Sequence, residues 1–257
     1  MEIEIMEIEN PEEFFLTKKR EIPHSEKSTI LSSSHVVHFT PKFETLKLIL
    51  KTGFRPALSK ESPVYQKEYE GLKVMYEFLG AKLTELENIN IPMTCFCDIP
   101  LKYSNKHRKE FGKYGIALTK SWAISKYISP VLYLRENTQT HTSLFGIINT
   151  LNNAVEFSKE ENPYFGYVKT NLAEFLDFVK PYYDDKENKK YYDEREWRYV
   201  PRKFDETQID NPDTFLKFES KDIVQIIVTC SKEKREITKL LKEKFNLDSR
   251  KLVKTKK

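Results

Sequence analysis

The stretch SSSHVVHFTPKFETLKLILKTGF (32–54) decides the type of fold. Its first part, to Thr40, is β-branched and aromatic behind a Ser-rich turn and reads as a short strand. Pro41 ends it. Phe43, Leu46, Ile49 and Leu50 then recur at helical spacing, and Gly53 supplies the stop. His38 and Thr40 fall on one face of the strand, His35 and Val37 on the other.

Outward from this unit, further strands are predicted at IPMTCFCDIPL (91–101), KYGIALTK (113–120), SPVLYL (129–134), KYYDEREWRYVPR (190–202) and the end of FLKFESKDIVQIIVT (215–229). Helices are predicted over 64–87, over SWAISKYI (121–128), as two stretches within 142–183, and over EKREITKLLKEKF (233–245). Ile3, Ile5 and Ile8 suggest an edge strand near the start. Consecutive strands lie close together, which implies α+β rather than a doubly wound sheet. The expected organisation is an extension over 1–30, one α+β domain over 31–245 with a helical insertion at about 140–185, and a basic tail over 246–257.

Composition excludes several classes. The 257 residues include 17 Phe and 14 Tyr, too many aromatics for a disordered chain. No apolar run approaches the ~18–20 residues of a membrane helix. The acidic start MEIEIMEIENPEEFF is unlike a signal peptide, and three cysteines give no disulfide framework, so a reducing cytoplasm is expected. Only seven glycines occur, none in GxGxxG or GxxxxGK[ST], so neither a Rossmann nor a P-loop phosphate cradle is present. Metal-ligand spacing is absent too, and no metal is expected. Net charge is +4, but the 27 residues from Ser231 hold 11 Lys and Arg against 4 Asp and Glu. That basic end could meet nucleic acid or an acidic partner, or lie as a solvated helix with a frayed Lys-rich end.

On an extended EREWRY, Glu194, Glu196 and Arg198 share one face, and Arg195, Trp197 and Tyr199 the other. Two carboxylates and a guanidinium on one face suit a polar cleft wall or a solvated edge. Cys95 and Cys97 read as small buried thiols, His24, His107 and His141 as structural histidines, and Trp122 and Trp197 as core aromatics.

Together, HFTPKFETLKLILKTGFRP, MTCFCDIPL, YGIALTKSWA and EREWRYVP resemble the bacterial abortive-infection AbiGi family of phage-resistance proteins. The resemblance implies the antitoxin half of a toxin–antitoxin pair, with a cognate toxin or a phage-derived component as partner. The same blocks resemble the ADP-ribosyltransferase fold, a split mixed or antiparallel sheet with flanking helices. That likeness implies NAD as substrate, His38 and Glu196 as catalytic residues, and His38, Thr40, Tyr114, Tyr127, Glu194 and Arg198 around the NAD. Aligned by its Gly, the middle stretch puts Ala117 at the first Tyr place and Tyr127 at the second, with Tyr114 just before the Gly. The implied chemistry is transfer of ADP-ribose to a nucleic acid or protein, Glu196 stabilising the sugar cation. Two alternatives stand beside it: a non-catalytic antitoxin or regulatory binding module, and a metal-dependent hydrolase or nuclease using Glu194, Glu196 and Asp98.

Overall fold

A computed structural model describes residues 33–61, 89–157, 168, 171–172, 174–184, 188–201, 209–247 and 252–255. Ile3, Ile5 and Ile8 and the helix expected over 64–87 lie outside them. The predicted opening unit forms as β1 (His35–Thr40) and α1 (Phe43–Thr52). Then come β2 (Ala57–Glu61), β3 (Ile89–Cys97), α2 (Asn105–Phe111), β4 (Tyr114–Thr119), α3 (Lys120–Ser125), β5 (Ser129–Pro130), β6 (Leu132–Leu134) and α4 (Gln139–Phe157). The chain ends through β7 (Val179–Pro181), β8 (Glu196–Tyr199), β9 (Ile223–Val228), α5 (Ser231–Phe245) and β10 (Val253–Thr255).

Eight strands form one sheet in the order β10-β9-β4-β1-β3-β8-β5, with β2 also on β3. All its pairings are antiparallel except β10 on β9, so the class is α+β with a mainly antiparallel sheet. β1 and β4 match over six pairs, from His35–Thr119 to Thr40–Tyr114. β1 and β3 share one pair, Val37–Cys97. The sheet is thus two halves joined by a narrow seam. Gly112 closes the far end of α2 at φ 133, where a Cβ would sit 2.1 Å from the Thr40 carbonyl carbon.

Alternation sorts the two faces. Val36, Ile116, Leu118, Phe96, Ile226 and Val228 pack under α1 and α5 with Leu46, Leu50, Phe54, Trp122, Ile237 and Leu241. Val37, Phe39, Cys97, Ile99, Ala117 and Ile227 form a smaller apolar layer. α5 is fixed at its start by Glu233. Its Oε2 accepts from the Thr229 and Cys230 amides at 2.9 and 3.2 Å, and its Oε1 from the Tyr114 hydroxyl at 2.7 Å.

Four expectations need correction. The segment 190–202 is not one strand: residues 191–194 form a 3₁₀ turn, Arg195 sits at φ 45, and only then does β8 begin. The segment 129–134 divides between two sheets, because β6 leaves to pair with β7 in parallel. Within the insertion, α4 is helical as expected, but 179–181 is strand, since Pro181 cannot continue a helix. The basic end is not frayed at 253–255, where β10 pairs with β9 and Val253 is fully buried.

Candidate functional site

A cleft with about 360 Å³ of space open to water lies along the seam. The register explains its lining. Val37 pairs with Cys97, Cys97 with Glu196 and Cys95 with Arg198, so these side chains share the face opposite Phe96 and Trp197. Val37, Phe39 and Cys97 give an apolar floor. Glu194, Glu196, Lys180, Lys189, Tyr191 and His107 surround it.

The polar wall is an ion network. Lys180, carried by β7, donates to Glu194 at 2.7 Å and Glu196 at 2.9 Å. Arg198, fully buried, donates from Nε to Glu196 Oε1 at 2.7 Å and from Nη1 to the Asp177 carbonyl at 2.7 Å. The Glu196 amide donates to the Tyr133 hydroxyl at 2.8 Å. Lys189 pairs with Glu194 at 2.9 Å and Glu110 at 2.7 Å. The Tyr191 ring lies 4.8 Å from the Lys180 ammonium and 5.0 Å from that of Lys189.

Burial pushes the Glu196 carboxyl up, but Arg198 and Lys180 outweigh it and hold it at about 2, so Glu196 is an anion. Burial, reinforced by Glu196, raises the Cys95 thiol well above its ordinary range, and burial lifts Cys97 to about 12. Both thiols stay protonated and are poor nucleophiles. Burial lowers His107, whose Nε2 lies 3.1 Å from the Glu194 carbonyl, and lowers His38. Asp177 is raised to about 6 by burial against the pull of Arg198.

Of the residues singled out in the sequence, Glu194, Glu196 and Arg198 come together in this wall, although Glu194 arrives on the 3₁₀ turn. His38 borders the cleft at the seam. Its Nδ1 lies 2.8 Å from the Cys95 carbonyl, and its ring packs edge-on against Phe54 and Phe96 at 5.2 and 5.8 Å. Thr40 is buried at the end of β1. Tyr114 turns into the core against Phe43 and binds Glu233. Tyr127 is 85% exposed on the turn after α3. Asp98 bonds the Ser33 amide at 2.6 Å and Lys120 at 2.7 Å, apart from the Lys180 network. Among the described residues no three His, Cys, Asp or Glu side chains are grouped to hold a metal ion. Lys180 and Tyr191 escaped the sequence reading. For Lys180 the one available signal was Pro181, which breaks the helix predicted across it, whereas Tyr191 fell in the strand predicted over 190–202.

These features place the chain among α+β proteins with an ion-paired cleft at a sheet seam, and comparison with known proteins narrows the class. The profile described as "Putative abortive phage resistance protein AbiGi, antitoxin" matches residues 73–229. The chain belongs to the AbiGi family. One relative, the abortive phage resistance protein AbiGi of Lactococcus lactis subsp. cremoris, is 34% identical over 179 residues, covering 62% of this chain and 67% of the relative. No solved structure matches. Among the described residues no helix is long and apolar enough to cross a membrane.

Proposed function

We propose that the chain acts in cytoplasmic antiphage defence as an antitoxin, restraining a cognate toxin through contact or control of its expression rather than through chemistry in the cleft. The observation that carries this reading is the state of Glu196. Its carboxylate is held by Lys180 and Arg198, while Tyr114 and Tyr127 point elsewhere. A carboxylate already neutralised by two cations offers little charge to a developing sugar cation. The family description as an antitoxin supports the same reading. The test is expression of the toxin with and without this chain. Wild-type chain is expected to rescue growth, as is a Lys180→Gln variant. Rescue that depends on added catalytic turnover would overturn the reading.

A second reading rests on the seam. His38, Glu196 and Tyr191 line one cleft between two half-sheets. That arrangement supports an ADP-ribosyltransferase-like fold taking NAD, with Tyr191 in place of the expected tyrosines. Calorimetry with millimolar NAD and assay of nicotinamide release decide it. Saturable binding with turnover lost in His38→Ala favours this reading, and no binding ends it.

A further inference from the structure

α5 buries Ile237 and Leu241 and leaves Lys232, Arg235, Lys239 and Lys242 exposed. At 3.6 residues per turn the four cations fall within roughly 80° of arc, opposite the buried pair, and at 1.5 Å per residue they span about 15 Å. Lys239 lies 3.8 Å from Glu243, and Glu236 turns to Lys47 at 3.7 Å. Among the described residues no ion pair reaches Lys232, Arg235 or Lys242. Like charges three and four apart on a helix repel, so the stripe costs stability that, among the described ion pairs, only Lys239–Glu243 offsets.

We propose that this face of α5 binds the phosphodiester backbone of a nucleic acid. The inference does not depend on the antitoxin reading or on the cleft. A membrane surface is disfavoured because the apolar side of α5 is committed to the core, leaving no face to insert. A protein partner is disfavoured because the stripe carries no apolar or aromatic anchor, around which protein interfaces are built. A row of Lys and Arg without such an anchor matches what phosphates accept, contacts that confer affinity without reading sequence. The charge distribution agrees, because the stretch from Ser231 onward carries the chain's excess of 11 basic over 4 acidic residues.

The full chain is titrated against a labelled short DNA duplex and a labelled single-stranded RNA, from low to physiological salt, by fluorescence anisotropy. Four phosphate contacts predict a log–log salt slope of about 3–4 for the duplex. The variant Arg235→Gln with Lys242→Gln is expected to lower that slope by about 2 and weaken binding roughly tenfold or more at low salt. Its melting temperature should be unchanged or slightly higher, because both side chains are exposed and their removal relieves repulsion along the stripe. Lys102→Gln with Lys109→Gln removes the same net charge elsewhere and should bind like wild type. Tighter binding of the duplex or of the RNA supports the proposal and identifies the polymer. Absence of saturable binding to both, equal weakening in the control pair, or competition by polyglutamate as strong as by the duplex would overturn it.

Discussion

The two faces of the sheet solve opposite problems with alternate residues of the same strands. Under α1 and α5, Val36, Phe96, Ile116 and Ile226 are held by apolar packing that has no direction and tolerates adjustment. On the cleft face, Cys97, Glu196 and Arg198 sit beside buried charges whose stability depends on specific distances. The difference teaches where the molecule is vulnerable. Losing one apolar contact leaves a gap, whereas losing one ion leaves a stranded charge.

Arg198→Ala should therefore be the most damaging single change. It strands the Glu196 carboxylate with Lys180 alone and is expected to cost about 3–5 kcal/mol. Urea unfolding measures it, and a loss below about 1 kcal/mol would mean that the network is solvated. Replacing Glu196 by Leu and Arg198 by Met together should restore much of the loss, because no charge is then stranded.

Acid sharpens the contrast next. The Glu196 carboxyl sits at about 2 when folded, below its ordinary 4.5. Its contribution is full above about pH 5 and lost as pH falls toward 2, on the order of 3 kcal/mol. Asp177 acts in the other direction. Held at about 6 by burial against an ordinary 3.8, it binds its proton more tightly when folded. Stability should fall as pH rises from about 4 to 6. Chemical denaturation across this range is expected to show loss on both sides. Asp177→Asn should remove the fall toward pH 6 and leave the acid-side fall in place.

On the core side, removal of residues 252–257 is expected to cost about 1.5–3 kcal/mol, because Val253 is fully buried beside β9. An unchanged melting temperature in the truncated chain would place β10 outside the cooperative core. The smallest effect is a gain. The end of α3 is a Schellman turn, with the Tyr127 amide on the Ile124 carbonyl and the Ile128 amide on the Ala123 carbonyl, both at 3.0 Å. Tyr127 sits there at φ 57, a position that favours glycine. Tyr127→Gly should raise stability by up to about 1 kcal/mol in the same unfolding assay, and a loss would show that the exposed ring makes contacts that hold the turn.

Periodicity made the core side legible. Leu46, Ile49 and Leu50 announce α1, and the apolar run of β9 announces a buried strand. Alternation grouped Glu196 with Arg198 correctly, because β8 is extended there. It could not say which face of β4 is the core; the ADP-ribosyltransferase resemblance, not alternation, puts Tyr114 by the NAD, and its pairing with Thr40 instead places it under α1 and α5. Lys180 was illegible for another reason. It reaches the site from an insertion whose helical pattern masks the short strand β7, and only the folded chain brings Val179–Pro181 beside β6.

The Val37–Cys97 seam has a kinetic consequence. Amides inside β4 are bonded to neighbours on both sides and exchange with solvent only when several strands separate. Among the described residues, one rung, the His38 contact with the Cys95 carbonyl and the Asp98 bonds to the Ser33 amide and Lys120 join the halves at the seam, so separation there breaks few bonds. Hydrogen exchange should thus divide the sheet into two blocks of protection, with the boundary running along the floor of the cleft.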